Sequence, residues 1–289
     1  MKVRKAVIPA AGLGTRMLPA AKAVPKEIMP IVDKPVMQYQ IEEAVNSGIT
    51  DILIITNRGK EAIEDYFDYS PEYERHLEMK GKTAELEKLR AIANLANITF
   101  IRQKEAKGLG HAVLCAKEFI GNEPFAVLYG DDLIEADYPT TKSLIELYER
   151  FGKGVAGVKA VTKEQITKYC SLKLDEIEKD VYSCTDMIEK PTPDKIMSLY
   201  SILGRVVLPP EIFGIIENLK PGAGGEIQLT DAMCTLARDK GMIAYAYTGT
   251  HHDMGSKLGL IKDNIAFGIK HEEIGEDLKA WLKEFARGL

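Results

Sequence analysis

The sequence has no long apolar run, no paired-cysteine motif and no excess of basic residues. None of its apolar runs reaches the roughly 18 residues that a membrane-spanning helix needs. Its four cysteines are scattered, without a CxxC pair and without histidines at zinc-ligand spacing. The formal net charge of −5 is unfavourable for binding nucleic acids or anionic membranes. We therefore expect a cytoplasmic protein with reduced thiols that binds neither nucleic acids nor membranes.

Two common phosphate-binding motifs are also missing. The dinucleotide pattern GxGxxG requires a third glycine, but Met17 occupies that position after Gly12 and Gly14. Pro19 argues against a long regular helix beginning at this point. The phosphate loop GxxxxGK[ST] does not occur in the sequence. A nicotinamide-dependent dehydrogenase is therefore disfavoured, and a phosphate loop of the GxxxxGK[ST] type is excluded.

The sequence does contain a loop rich in small and basic residues, at positions 9–35, directly after a short apolar strand at 5–8. Its first residues are small and would let a ligand approach the backbone: Ala10, Ala11, Gly12 and Gly14. Positive charge follows within a few positions: Arg16, Lys22 and Lys26. Three prolines fix φ and stiffen the loop: Pro19, Pro25 and Pro30. A loop of this composition suits a polyphosphate.

Predicted strands and helices alternate along the rest of the chain. Strands are expected at residues 51–56, 98–103, 125–129, 154–161, 201–208 and 243–248, and the last of these is expected to close the sheet. A two-stranded element is expected at 169–174 and 181–188, with its turn at 175–178. Helices are expected at 36–47, 108–119 and 227–238, in a charged excursion at 60–96, and over the last forty residues. This alternation is typical of an α/β fold with a Rossmann-like mixed, mainly parallel sheet flanked by helices. Ligands of such sheets bind at the carboxyl ends of the strands, so we expect loops 9–35, 103–110 and 130–132 to form one cleft.

The basic loop extends into the longer pattern GxGTRMLPxxKxxPKExxPxxDKP. This pattern resembles the signature loop of the bacterial sugar-nucleotide pyrophosphorylases, and shorter motifs continue the resemblance over nearly the whole chain. The resemblance implies an enzyme that transfers the uridylyl group of UTP to α-D-glucose 1-phosphate, giving UDP-glucose and pyrophosphate. Two alternatives stay open: a related pyrophosphorylase that uses dTTP or another sugar 1-phosphate, and a catalytically weak subunit that binds sugar nucleotides.

The resemblance also implies a magnesium site and three catalytic cations. Asp131 and Asp253 correspond to the aspartates that hold Mg²⁺ in the family, and Mg²⁺ prefers oxygen ligands from one or two carboxylates. Asp132 would lie behind them. Arg16 and Lys26 are expected to neutralise the triphosphate, while Lys190 is expected to hold the sugar phosphate.

Further binding residues follow from the same resemblance. The nucleotide-binding set is Ala10, Ala11, Gly12, Gly14, Gln103 and Gly108. Gln103 carries both a donor and an acceptor, as reading the uracil edge requires. The sugar-phosphate-binding set is Glu189, Lys190, Gly204, Glu226 and Cys170.

Several residues depart from the family pattern. Cys170 stands where glycine is usual, and we predict that it crowds the sugar pocket. Val206 stands where an aromatic residue is common, and His252 stands where tyrosine is common. His251 and His252 are adjacent on a predicted strand and would point to opposite faces, so we expect that they do not both lie in the site.

We predict a single nucleotidyltransferase domain over residues 1–289. Residues 1–152 would bind the nucleotide and residues 153–255 the sugar phosphate. Residues 256–289 are predicted to be helical, with two apolar stripes that suit core or subunit contacts. Trp281 in the second stripe fits an oligomer contact. Because relatives are commonly oligomeric, we expect a homodimer or homotetramer.

Overall fold

The apolar runs of the sequence form the centre of a nine-stranded sheet. The computed structural model describes residues 2–288, apart from the side chain of Ala223. Its strands are β1 Lys5–Pro9, β2 Pro30–Ile31, β3 Lys34–Pro35, β4 Asp51–Thr56, β5 Asn97–Arg102, β6 Phe125–Leu128, β7 Asp132–Glu135, β8 Val155–Ala160, β9 Cys170–Glu178, β10 Val181–Glu189, β11 Tyr200–Leu208, β12 Met242–Ala246 and β13 Thr250–Asp253. Its α-helices are α1 Val36–Asn46, α2 Glu61–Phe67, α3 Pro71–Met79, α4 Thr83–Ala93, α5 Leu109–Leu114, α6 Lys117–Ile120, α7 Thr140–Phe151, α8 Lys163–Ile166, α9 Ile212–Glu217, α10 Leu229–Lys240, α11 Lys257–Gly268 and α12 Gly275–Ala286.

The large sheet has the strand order β5-β4-β1-β6-β11-β8-β12-β10-β9. Only β10 and β11 run against the other seven strands, as the pairings show. Two short antiparallel ribbons, β2 with β3 and β7 with β13, complete the described strands. The predicted α/β class, a mixed and mainly parallel sheet flanked by helices, is confirmed.

Helices cover both faces of the sheet because its central strands are apolar on both sides. In β1, Val7 belongs to the apolar cluster that contains α5, α9 and α10 residues. Its neighbours Ala6 and Ile8 belong to the opposite cluster, with α1, α2 and α7 residues. Successive strand residues point to opposite faces, so one short run supplies both cores. A third, smaller cluster lies under α11 and includes Ile31 and Met254.

The sequence located most of the central elements, and its errors have physical causes. The predicted helix at 108–119 is divided into α5 and α6 by a turn. The hairpin turn was expected at residues 175–178, but those residues belong to β9 and the chain reverses at Asp180, whose φ is 63°. Their polarity reflects the position of β9 at the edge of the sheet. The prediction that 243–248 closes the sheet was wrong, because β12 lies between β8 and β10.

Five features between and beside the predicted elements were not foreseen: the β2–β3 ribbon, α7, α8, α9 and the pairing of β13 with β7. The excursion at 60–96 is helical and largely exposed, as expected. Within residues 2–288, no helix combines the length and the apolar character that crossing a membrane requires.

Candidate active site

A cleft of about 420 Å³ opens at the carboxyl ends of the central strands. The loop after β1 contributes Gly12, Gly14 and Lys26, while Gln103 and Asp131 come from the segments after β5 and β6. Glu226, which precedes α10, lines the same cleft. The predicted convergence of the three loops is therefore confirmed.

Asp131 and Asp253 are brought together by the small β7–β13 ribbon. Asp131 precedes β7 and Asp253 ends β13, and the register of the ribbon places Asp253 opposite Asp132. The backbone N–H of Met254 donates to the carbonyl oxygen of Asp131 at 3.1 Å. A Cβ added to Gly255 would lie 2.9 Å from Asp131 Oδ2 and 3.0 Å from Asp253 Oδ1. Both carboxylates therefore face the same small space.

The two predicted cations of the loop contact this aspartate pair. Lys26 Nζ lies 2.5 Å from Asp131 Oδ2. Arg16 lies between the carboxylates, 3.5 Å from Asp253 Oδ2 and 3.8 Å from Asp131 Oδ2. Burial lowers the pKa of Lys26, but the charges of Asp131 and Glu27 outweigh it and raise that pKa overall. Burial likewise opposes ionisation of Asp131, yet Lys26 and Arg16 hold the pKa of its carboxyl below the usual value. Lys26 and Asp131 are therefore both ionised at neutral pH.

The aspartate pair has the donor chemistry of a hard-cation site. Asp131 and Asp253 offer carboxylate oxygens around one space, which suits Mg²⁺. Among residues 2–288 there is no cluster of three or more His, Cys, Asp or Glu that could hold a metal ion. A cation bound here would therefore take its remaining ligands from water or from substrate phosphates, as Mg²⁺ commonly does.

A buried ion pair, which the sequence did not reveal, anchors the loop. Glu27 is fully buried, and both of its carboxylate oxygens lie 2.8 Å from Lys60 Nζ. Lys60 also donates to the carbonyl oxygen of Ala10, and Asn57 donates to that of Ala11 at 2.5 Å. These contacts fix both ends of the glycine-rich turn against the segment after β4. The available signal was that Asn57 and Lys60 lie within four positions of the end of the buried strand β4.

A second buried network, also missed from the sequence, holds the segment around Asp131. Gln40 on α1 donates to the carbonyl oxygens of Tyr129 and Asp132, at 2.8 and 3.0 Å. Arg205 on β11 is fully buried and donates to Asp132 O at 3.0 Å. Its charge is balanced by Glu43, whose Oε2 lies 2.7 Å from Nη2. Asp131 is thus presented by a rigid stretch of backbone.

The residues predicted to read the base, Gln103 and Gly108, line the same cleft. Gln103 is buried and its Nε2 donates to the carbonyl oxygen of Gly108 at 3.2 Å. Gly108 has a φ of 101°, and a Cβ there would lie 2.7 Å from Glu226 Cβ and 2.8 Å from Ile227 O. Only glycine fits this close approach of the two segments. Glu226 of the predicted sugar-phosphate-binding set therefore packs directly against Gly108 of the predicted nucleotide-binding set.

Of the predicted sugar-phosphate residues, Cys170, Glu189 and Lys190 lie at the paired ends of β9 and β10, while Gly204 lies within β11. Glu189 ends β10, and burial raises the pKa of its carboxyl although Thr230 and Lys190 act to lower it. Lys190 follows with a φ of 47°, and its N–H donates to Tyr169 O at 2.7 Å. Gly204 has a φ of 84° at an irregularity of β11, and its carbonyl oxygen accepts from Tyr129 N–H at 2.9 Å.

Cys170 begins β9 and faces the core of the protein. Its side chain is buried, with Sγ 3.4 Å from both Ser201 Oγ and the backbone nitrogen of Ile202. Burial raises the pKa of this thiol to about 11, so it is neutral at physiological pH. Crowding of a sugar by Cys170 would therefore act through the backbone rather than through an exposed thiol.

The adjacent histidines point in different directions, as expected. His251 Nε2 lies 2.8 Å from Asp132 Oδ1, behind the aspartate pair. His252 is buried and its Nδ1 lies 2.6 Å from Asp263 on α11. Neither contact places the imidazole between Asp131 and Asp253.

Comparisons with known proteins identify relatives of this chain in sequence and in fold. The nucleotidyl transferase family model matches residues 5–267. A protein named UTP–glucose-1-phosphate uridylyltransferase from Bacillus subtilis strain 168 is 51% identical over 282 residues, which cover 98% of this chain and 97% of that protein. A solved UDP-glucose pyrophosphorylase complexed with UDP-glucose has a TM-score of 0.85 at 40% identity, covering 93% of this chain and 100% of the other. A UTP-bound UGPase from Acinetobacter baumannii has a TM-score of 0.88 at 36% identity, covering 98% and 99%.

Proposed function

This chain belongs to the nucleotidyl transferase family, and we propose that it transfers the uridylyl group of UTP to α-D-glucose 1-phosphate, with release of UDP-glucose and pyrophosphate. The expected resemblance to the sugar-nucleotide pyrophosphorylases is confirmed by relatives that match nearly the full length of the chain. The observation that carries the proposal is the cluster of Arg16, Lys26, Asp131 and Asp253. Lys26 and Asp131 of this cluster line the same cleft as the glycine-rich turn.

The reaction requires two anions to approach each other. The phosphate of the sugar has a second pKa of about 6, so it is largely dianionic at neutral pH and needs no side-chain base. One of its oxygens attacks the α-phosphorus of UTP in line, and the bond to the bridging oxygen of pyrophosphate breaks. The bond electrons leave with pyrophosphate. Catalysis then depends on positioning and on neutralisation of the growing charge.

Arg16 and Lys26 supply that neutralisation in the proposal. In the free chain their charges are balanced by Asp131 and Asp253. We propose that the aspartates hold Mg²⁺ when the nucleotide binds and that Arg16 and Lys26 then pair with its phosphates. Bound Mg²⁺ would neutralise phosphate charge and orient the triphosphate. Lys190 is proposed to hold the sugar phosphate opposite the leaving group.

The remaining assignments follow the same division of the cleft. Gln103 and the backbone of Gly108 are proposed to contact uracil, and the turn from Ala10 to Gly14 is proposed to contact the phosphates. On the other side, Glu189 and Glu226 would accept hydrogen bonds from sugar hydroxyls, because carboxylates are acceptors. Gly204 and Cys170 would contact the sugar through their backbones.

The division into a nucleotide half at 1–152 and a sugar-phosphate half at 153–255 remains part of the proposal.

We also propose a cytoplasmic homodimer or homotetramer. Its four cysteines are free, which suits a reducing compartment. On α12, Trp281 and Phe285 are about half exposed and stack on each other with centroids 5.1 Å apart. This exposed aromatic pair supports a subunit contact.

The test is a matrix of nucleotides against sugar 1-phosphates, with and without Mg²⁺, in which pyrophosphate release is measured. We expect the highest kcat/KM with UTP, glucose 1-phosphate and Mg²⁺. A preference for dTTP or another sugar phosphate would establish the related pyrophosphorylase instead. Absence of turnover with every pair, while UDP-glucose still binds, would establish the non-catalytic binding subunit.

A further inference from the structure

Helix α11 contacts two separate segments of the candidate site through two consecutive side chains. Asp263 Oδ1 lies 2.6 Å from His252 Nδ1, next to Asp253 in β13. Asn264 Oδ1 accepts from the backbone N–H of Val32 at 2.9 Å, at the end of the basic loop. We call these two contacts the α11 brace. One rigid helix thus connects the strand that carries Asp253 with the loop that carries Arg16 and Lys26.

The contact of Asp263 with His252 is closed to water. Both residues are 7% exposed, and the His252 ring packs edge-on against Phe267 of the same helix, with centroids 5.4 Å apart. Removing one partner of a hydrogen bond in such a site is costly, because the remaining buried polar atom cannot form a hydrogen bond with water instead. The position of His252 relative to α11 is therefore tightly constrained.

The contact of Asn264 with the loop holds a turn that is unfavourable on its own. Val32 has a φ of 60°, which a β-branched residue rarely adopts. Asn264 accepts a hydrogen bond from the N–H of Val32 and donates one from Nδ2 to Pro30 O at 3.2 Å. It therefore binds the backbone on both sides of Ile31 in the β2–β3 segment. Ile31, between them, packs with Met254 in the small apolar cluster under α11. Polar and apolar contacts therefore act at the same junction.

We propose that Asp263 and Asn264 are positioning residues that set the distance between Asp253 and the cations of the basic loop. The proposal rests on the proposed function only for its catalytic consequence. Arg16 reaches Asp253 at 3.5 Å across this junction, so a small shift of either segment would separate the groups.

The first test uses the chain without nucleotide or metal. Hydrogen exchange is measured by mass spectrometry in peptides that cover residues 28–35 and 248–255 of wild type, Asp263→Ala, Asn264→Ala and Asp277→Ala. Asp277 is an exposed acid on α12 and serves as the matched control. We expect Asp263→Ala to speed exchange in the distant 28–35 peptide as well as in 248–255. We expect Asn264→Ala to speed exchange in the distant 248–255 peptide as well as in 28–35. If each variant exchanged faster than wild type only in the segment that its own side chain touches, the brace would be overturned.

The second test uses turnover. Disruption of residues that orient a site typically costs 10–100-fold, so we expect each alanine variant to lose on the order of tenfold or more in kcat at saturating UTP and glucose 1-phosphate. Asp263→Asn keeps an oxygen that can accept from His252 and should recover most of the rate. The double variant Asp263→Ala, Asn264→Ala should lose little more than the worse single variant, because both changes release the same helix.

Losses that multiply in the double variant, or a lower melting temperature with unchanged kcat per folded molecule, would show two independent structural contacts and overturn the proposal. If wild type itself shows no turnover with any substrate pair, the proposed function fails. The exchange experiment still decides the brace in that case, because it needs no substrate.

Discussion

Lys60→Met should strongly destabilise the protein, although Lys60 lies outside the aspartate cluster. The substitution keeps a chain of similar length but leaves the carboxylate of Glu27 fully buried without its cation. Breaking a buried ion pair by removing one partner costs about 3–5 kcal/mol. For a chain of this length, that loss corresponds to a fall of about 5–8 °C in melting temperature, from the average unfolding entropy per residue.

The loss should depend on pH with a definite sign. Burial already raises the pKa of Glu27 in the wild type, although Lys60 and Lys26 act to lower it. Without Lys60 the folded-state pKa rises further above the unfolded value of 4.5. The folded state then binds more protons than the unfolded state at any pH between these two pKa values. Stability of the variant should therefore fall as the pH rises from 4.5, and its deficit relative to wild type should be smaller at pH 5 than at pH 8.

The assay is urea unfolding followed by circular dichroism at several pH values, on wild type, Lys60→Met and the double variant Glu27→Gln, Lys60→Met. The double variant removes the uncompensated charge and should recover part of the loss. Lys82→Met is the control, since the Lys82–Glu85 pair is more than half exposed and such pairs contribute about 0–1 kcal/mol. Equal effects of Lys60→Met and Lys82→Met, or a deficit that does not change with pH, would refute the reasoning.

Three other predictions follow from the site. Asp131→Asn should leave a folded protein whose turnover falls by a factor of roughly 10² or more, as for loss of a preorganised electrostatic contact. Steady-state kinetics measures the loss of turnover, and an unchanged melting temperature shows that the variant is folded. Gly108→Ala should raise KM for UTP, because its Cβ would lie 2.7 Å from Glu226, whereas Gly214→Ala, with no atom within 4 Å, should leave KM unchanged. Arg205→Met should lower the free energy of unfolding by about 3–5 kcal/mol in urea titrations, because Glu43 loses its buried partner.

The parts of the fold that the sequence predicted well are those with a strong local pattern. The apolar run at 51–56 coincides with β4, and Arg16 and Lys26, which the loop pattern singled out, lie beside Asp131. Elements that depend on distant partners were missed. The β7–β13 ribbon has only four residues on each side, and its stability depends on pairing across more than 110 positions.

The buried polar supports of the site were also beyond local pattern reading. Arg205 lies in the apolar run of β11, and only the positions of Glu43 and Asp132 explain its charge there. Lys60 resembles an ordinary surface lysine before α2 until Glu27 is seen opposite it. Similarly, the exposed apolar residues of α11 and α12 satisfy a helical pattern in the sequence, yet their exposure emerges only from the packing.

The most direct test of the account compares Asp131→Asn, Asp253→Asn and their double variant in UDP-glucose formation from UTP and glucose 1-phosphate over a range of Mg²⁺ concentrations. If both carboxylates serve one cation, each single variant should lose most of the turnover and require more Mg²⁺, and the double variant should lose little beyond the worse single one. Losses that multiply, with an unchanged dependence on Mg²⁺, would contradict a shared site.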